Sequence, residues 1–345
     1  MNVLVTGGSG FLGSHIVEQL VSEGHDVRAL VRKSSNTKFL LSLGSLDASG
    51  AARGNGAAKH GRVELAYGAI EDAAAVAEAV KGVDAVIHSA GLVKARSPSE
   101  FRQTNVMGTQ NLLDAARKNA PGLKRFVLVS SLAAVGPSHD GKPVDGAGTP
   151  SPVTHYGRSK LDAERAVLAA KGDLPVVILR PAAIYGPRDN EVFAFFQSVW
   201  RGILPTIGNG ESTMSMIYGA DCAEACVKAL TADVPSGSAY FVDDGVAHGF
   251  RNMLEQIEAA LGKKAKLRIN LPFPVVYAVA FGSEMFGKLT NKAVMLNRDK
   301  MNEIRQPHWV CSSEKTQAAL GWTPRTNLRE GTAITAKWYR DNGWL

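Results

Sequence analysis

Apolar residues along this chain alternate between two rhythms, short continuous runs and longer stretches in which they recur every three or four positions. The runs at Val3-Leu-Val-Thr6, Val27 to Val31, Val63 to Ala66, Ala85 to His88, Phe126 to Val129 and Val176 to Leu179 predict buried strands. Helical spacing lies between them. Ile16, Val17, Leu20 and Val21 share one face of a first helix that Gly24 closes, and further helices are predicted over Asp72 to Val80, Phe101 to Lys118 and Tyr156 to Ala170. Strictly alternating strands and helices imply an α/β fold, a parallel sheet covered on both faces.

Past Pro181 the rhythm becomes irregular. Tyr185-Gly-Pro-Arg188, a helix rich in Phe193, Phe195, Phe196 and Trp200, and a Gly208-Asn-Gly210 turn suggest a smaller lobe, with the aromatic group read as lobe packing. Asp221 to Leu230 and Ala239 to Val242 predict a helix and a strand that return to the main sheet. Helices follow near Phe250 to Leu261, Val275 to Leu289, Ser313 to Leu320 and Leu328 to Asp341. The stretch 44-61, rich in Gly, Ala and Ser, reads as a flexible insertion.

The first strand runs into Gly7-x-x-Gly10-x-x-Gly13 and then directly into the first helix. Glycines there allow positive φ and close approach of a phosphate, and the helix start offers unpaired N–H groups to an anion. Strand, glycine turn, helix and second strand together predict a dinucleotide site. Residues 1-182, with 218-245 returning to them, then form the dinucleotide-binding domain. Residues 183-217 and 246-345 form a smaller, mostly helical substrate lobe.

Composition narrows the alternatives. The chain has 345 residues and a net charge of +7, but its basic residues are scattered, which excludes a nucleic-acid face. Three cysteines without nearby partners predict neither a disulfide framework nor a metal site. The run from Leu271 to Phe281 is too short to span a bilayer. A lobe helix is the favoured reading of 272-289 and an interfacial membrane helix the alternative. With the first strand starting near Asn2, no room is left for a cleaved signal, and a cytoplasmic protein is expected.

A second constellation sits at the end of the fifth strand. Ser130-Ser131 is followed, 25 residues after Ser131, by Tyr156-Gly-Arg-Ser-Lys160. Tyr-x-x-x-Lys alone is a weak signal, but strand ends at a switch in strand order are where an open α/β sheet binds its ligand. The spacing puts Tyr156 and Lys160 on one helix face. A tyrosine can donate a proton to a carbonyl oxygen as hydride reaches the carbon, a nearby ammonium favours its phenolate, and Ser131 can hydrogen-bond the reacting oxygen. His88 reads as a strand-end residue lining the cofactor cleft, and Arg180 as a brace for it.

Thr6-Gly-Gly-Ser-Gly-Phe-Leu-Gly13, Asn105-Val-Met-Gly-Thr-Gln-Asn-Leu-Leu113, Val129-Ser-Ser131, Tyr156-x-x-x-Lys160, Arg180-Pro-x-x-x-Tyr-Gly-Pro187 and Leu320-Gly-Trp-Thr-Pro324 resemble the extended short-chain dehydrogenase/reductases over essentially the whole chain. The resemblance implies a Rossmann doubly wound sheet, catalytic roles for Ser131, Tyr156 and Lys160, and support of the lysine and its water by Asn105. It also implies a cofactor set of Gly7, Gly10, Phe11, Leu12, Gly13, Arg32, Lys33, Ala90, Gly91, Tyr156, Lys160, Pro181 and Ile184. Ser131, His155, Tyr185 and Met214 are the candidate substrate residues. No metal is expected. A homodimer through the helices carrying Asn105 and Tyr156 is a further expectation.

Two departures sharpen it. Where related nucleotide-sugar enzymes carry an arginine for a diphosphate, this chain has Met214, which suits a less charged substrate. Together with the aromatic segment near Phe193 and the apolar helix at Val275, this resembles the 3β-hydroxysteroid dehydrogenase and dihydroflavonol reductase branch, which implies a ketone or secondary alcohol of a fairly apolar, sterol-, flavonoid- or polyketide-like substrate. A nucleotide-sugar epimerase or dehydratase with tightly bound NAD is the alternative, and a non-catalytic dinucleotide-binding regulator a third reading. Ala69 stands where relatives commonly carry an aspartate for the adenine. At the end of the second strand Arg32 and Lys33 occur without an acid, which favours NADP(H) over NAD(H).

Overall fold

The computed structural model describes residues 1–43, 61–208 and 211–345. The expected insertion at 44-61 and the middle of the Gly208 to Gly210 turn fall almost wholly outside the described residues.

The chain begins with β1 (Asn2–Thr6), α1 (Phe11–Ser22), β2 (Asp26–Val31), α2 (Lys38–Ser42), β3 (Val63–Tyr67), α3 (Ala73–Ala79) and β4 (Ala85–His88). After α4 (Pro98–Phe101) comes a π-helical turn (Arg102–Met107), then α5 (Gly108–Asn119), β5 (Arg125–Val129), α6 (His155–Ala169) and β6 (Val176–Pro181). The single helix expected over Phe101 to Lys118 is thus interrupted by that π turn. Ser97 caps its start, accepting from Glu100 N, with Pro98 in the first turn.

Beyond Pro181 follow β7 (Ala183–Tyr185), α7 (Phe193–Trp200), β8 (Ile203–Ile207), β9 (Thr213–Tyr218), α8 (Gly219–Lys228) and β10 (Ser238–Val242). The chain continues through β11 (Ala247–Gly249), α9 (Phe250–Leu261), β12 (Leu267–Leu271) and α10 (Phe273–Thr290). It ends with α11 (Arg298–Ile304), β13 (His308–Trp309), α12 (Glu314–Leu320) and α13 (Leu328–Asp341).

Seven strands form one sheet in the order β10-β6-β5-β4-β1-β2-β3. Every neighbouring pair is parallel. Strand order reverses between β1 and β4, so a crevice opens at their C-terminal ends. Because such a sheet is buried on both faces, its strands read as continuous apolar runs. One face packs Ile16, Val17 and Leu20 of α1 with Cys222 and Cys226 of α8 and with Trp322. The other packs Val76 of α3, Leu112 and Leu113 of α5, and Val167 of α6.

The remaining elements carry two small sheets. In one, β9 lies between β11 and β13 and also pairs with β7; in the other, β8 pairs with β12. These strands leave no clear apolar run in the sequence, because most are short and only half buried, and β8 contains Pro205. Phe196 and Val199 of α7, Leu254 and Ile257 of α9, and Tyr339 of α13 make a separate core. The aromatic group at Phe193 to Trp200 therefore packs within this lobe: Phe196 and Phe193 both meet the Tyr339 ring.

Candidate active site

Gly7 takes φ +73°, and a Cβ there would lie 2.8 Å from Ala90 N. At Gly13 a Cβ would fall 2.0 Å from Gly7 O, so the turn cannot close with any larger residue. Gly10 caps α1 without a side-chain hydrogen bond, which leaves the first N–H groups of the helix for a phosphate. Beside this turn runs a cleft of about 430 Å3 lined by Gly7, Gly10, Arg32, Ala90, Gly91 and Thr104 among others. Its position at the β1/β4 switch, its length along β1, β2 and β4, and its bare helix start fit a dinucleotide. Leu12 is buried and Phe11 stands edge-on to His15.

At the far end of β2, Arg32 lines the cleft together with Ser34, Ser35 and Asn36, whereas the exposed Lys33 does not. Glu71 also lines it, and its carboxylate accepts from Thr104 Oγ1. Glu71 lies two residues past Ala69, so an acid is present near the expected adenine end although Ala69 itself offers no acceptor.

His88 does not line the cleft. It is 1% exposed, and burial depresses its pKa to about 3, so it is neutral. Its tautomer follows from its partners. Thr109 Oγ1 donates its only proton to Asn105 O at 2.6 Å, so it must accept from His88 Nε2, 2.9 Å away. Nδ1 then accepts from Thr6 Oγ1 at 2.7 Å, and Thr6 in turn accepts from Ala90 N. This buried chain ties the cleft floor at Ala90 to the π turn.

Asn105 lies in that turn, a geometry often found at functional sites. It does not contact Lys160 through a direct hydrogen bond. Its Oδ1 accepts from Leu92 N at 2.7 Å, and its Nδ2 donates to Leu92 O at 3.0 Å and to Ser159 Oγ at 2.9 Å. It thereby fixes the segment after Gly91 against α6.

Thr154 caps α6 through Gly157 N, and Gly157 is required: a Cβ there would sit 2.3 Å from Ala133 O. The absence of a side chain lets the start of α6 press against the 3-10 turn after β5, where Ser131 accepts from Ala133 N. This brings the Ser131 hydroxyl to the start of α6, where it acts on the Tyr156 phenol. Burial pushes that phenol up to about 12, the Ser131 hydroxyl opposes the shift, and the Glu303 carboxylate adds to it.

Lys160 is 7% exposed and donates to Val129 O at 2.7 Å. Burial lowers its pKa to about 8, partly offset by Glu164 one turn along the helix. Glu164 is almost fully buried, accepts from Ser130 Oγ at 2.5 Å and holds Arg180 in a two-point pair at 3.0 and 2.7 Å. Arg180 thus braces β6 against α6. Glu164 was not anticipated, although its place four residues after Lys160 is legible.

A smaller cleft reaches Tyr156 from the other side, bounded by Val93, Phe101, Met295, Asp299, Lys300 and Glu303. None of the four expected substrate residues lines it. Tyr185 is 1% exposed in the second lobe's core, its hydroxyl donating to Asn327 O, and Met214 lies in β9 between His248 and Trp309. His155 is exposed, its backbone N–H bonded to Asp299. Ser131 reaches the site through Tyr156. Ile184 lies in β7, beside Pro181 at the end of β6. The α11 carboxylates, more than 140 positions from Tyr156, could not be placed by any spacing rule.

The fold and its cleft define a dinucleotide-binding α/β oxidoreductase. Residues 3–242 match the NAD dependent epimerase/dehydratase family, and the chain belongs to that family. It is similar to a ceramide reductase of Caulobacter vibrioides, 32% identical over 99% of this chain and 96% of that protein. It is also similar to a 3 beta-hydroxysteroid dehydrogenase/isomerase of Mycobacterium tuberculosis, 31% identical over 78% of this chain and 72% of that protein. Among solved structures, gox2253 superposes with a TM-score of 0.78 at 26% identity, covering 99% of this chain and 98% of its own. The protein is thus an enzyme of the extended short-chain dehydrogenase/reductase type.

Proposed function

We propose that the protein reduces a ketone on an apolar, sterol-, lipid- or polyketide-like molecule, with NADP(H) as its preferred cofactor. The observation that carries this reading is Tyr156 at the start of α6, within the influence of the Ser131 hydroxyl, with the buried Lys160 one turn away on the same helix. The nicotinamide supplies the hydride when bound. Tyr156 gives its phenolic proton to the carbonyl oxygen, and Ser131 steadies the charge that develops there. A phenol near 12 is protonated at neutral pH, which suits donation in the reductive direction. Lys160 holds the ribose and favours the phenolate left after transfer; Asn105 positions both through Leu92 and Ser159.

Gly7, Gly10 and Gly13 receive the pyrophosphate, with Ala90 and Gly91 in the cleft along the cofactor and Arg32 toward a 2′-phosphate; Pro181 and Ile184, outside the cleft lining, are assigned to the cofactor by the family resemblance alone. The names of the relatives, a ceramide reductase and a steroid dehydrogenase, support an apolar substrate. Residues 1-182 with 218-245 form the cofactor domain in this reading. A panel of long-chain and polycyclic ketones, with NADPH and NADH compared, tests the reading. Consumption of NADPH on apolar ketones is expected, and retained NAD with turnover on nucleotide sugars alone would overturn it.

A further inference from the structure

α10 is apolar around most of its circumference, yet the protein covers one stripe of it. Val276, Ala280 and Gly287 are buried, the first two against Met301 of α11. The rest presents Val279, Phe281, Met285, Phe286 and Leu289 to solvent, with Phe286 61% and Leu289 84% exposed. Val275 and Tyr277 extend the same surface toward the helix start. A helix apolar all round is normally enclosed, and a continuous exposed apolar surface of this kind marks an interaction site.

The charges that border it select the partner. Arg298 lies over the Phe281 ring and Arg305 over the Tyr277 ring, with guanidinium carbons 5.5 and 5.6 Å from the ring centres. Lys288 and the exposed Lys292 close the C-terminal end. Glu284, the one carboxylate on α10, is turned toward Arg298 and Lys288 at 2.9 and 3.0 Å and is outnumbered by them. Among the described residues no helix is long and apolar enough to cross a membrane. An apolar face rimmed by an excess of cations matches the boundary between acyl chains and anionic headgroups.

We infer that α10 docks flat on an anionic membrane surface, its apolar face in the acyl boundary and Lys288, Lys292, Arg298 and Arg305 at the phosphate level. The segment that follows α10 supplies Met295, Asp299, Lys300 and Glu303 to the cleft beside Tyr156. Docking therefore sets the mouth of that cleft at the lipid. Uptake of a substrate from the bilayer rests on the ketone-reductase reading; docking itself does not.

Sedimentation of the full chain with phosphatidylcholine vesicles, alone or mixed with phosphatidylglycerol, tests the inference. Binding to the mixed vesicles is expected, weakened by salt, and lost in Val279→Ser/Phe286→Ser while thermal midpoint and dinucleotide affinity are retained. Lys288→Glu/Lys292→Glu, which leaves the apolar face intact, should lower affinity for the mixed vesicles by more than about tenfold. Absence of binding to either vesicle, or equal binding by the variants, overturns the proposal. So does a concentration-dependent dimer that Val279→Ser/Phe286→Ser dissociates without any vesicle binding, since a second copy would then cover the face. Vesicle binding without turnover on any ketone would leave docking standing and remove the reductase reading.

Discussion

Asn105, inside the π turn, donates a 2.9 Å hydrogen bond to Ser159, the residue immediately before Lys160. Through this bond and its two to Leu92, one buried amide fastens the cleft floor to the helix that carries the tyrosine and lysine. Asn105→Ala leaves the Leu92 N–H and C=O without those partners. It should cost about 1–3 kcal/mol of stability and at least about tenfold in kcat/KM. Thermal unfolding and steady-state kinetics of the variant check both.

Glu164 and Arg180 form a buried pair, with side chains 1% and 11% exposed. Removing the carboxylate strands a guanidinium, so Glu164→Gln should lose about 3 kcal/mol. Glu164→Gln/Arg180→Met should be less destabilised than Glu164→Gln alone. Denaturant titrations of the single and double variants measure the coupling; simple additivity would mean that the pair does not act as a unit.

Arg32 lines the cleft and Lys33 does not. Arg32→Ala should therefore weaken NADPH by about 1–3 kcal/mol while leaving NADH nearly unchanged, and Lys33→Ala should alter neither. Calorimetric titration with each dinucleotide distinguishes the two side chains. An Arg32→Ala protein that kept its NADPH to NADH ratio would return this arginine to the solvated surface.

His88 and His15 are both held near pKa 3 by burial, with Arg188 adding to the effect at His15. An unfolded histidine titrates near 6.5, so between pH 6.5 and 3 the unfolded chain binds protons that the folded chain refuses. Stability should fall as pH drops through that window and level off below it for these two groups. In His88→Asn part of the slope should vanish, measured by urea midpoints from pH 7 to pH 4.

The main sheet was legible because parallel strands buried on both faces, such as Val3 to Thr6 and Phe126 to Val129, leave unbroken apolar runs. The second lobe was less so. Its strands are short and one carries Pro205, and Tyr185 and Met214, expected at the substrate, are held in packing that only the three-dimensional arrangement reveals. Within the candidate site, the glycine turn and Tyr156-x-x-x-Lys160 are local patterns and could be read directly. Glu303 and Asp299 approach Tyr156 from a helix far along the chain, and the Thr6–His88–Thr109 relay joins three separate elements, so neither leaves a mark on local spacing.

Tyr156 as the proton donor is the central claim, and single-turnover hydride transfer from NADPH to an accepted ketone tests it most directly. Tyr156→Phe removes the hydroxyl while keeping the ring beside Phe101. The transfer rate should fall by at least about a hundredfold, with NADPH affinity unchanged and the thermal midpoint at or above that of the wild type. A variant that transfers hydride at the wild-type rate would contradict the account.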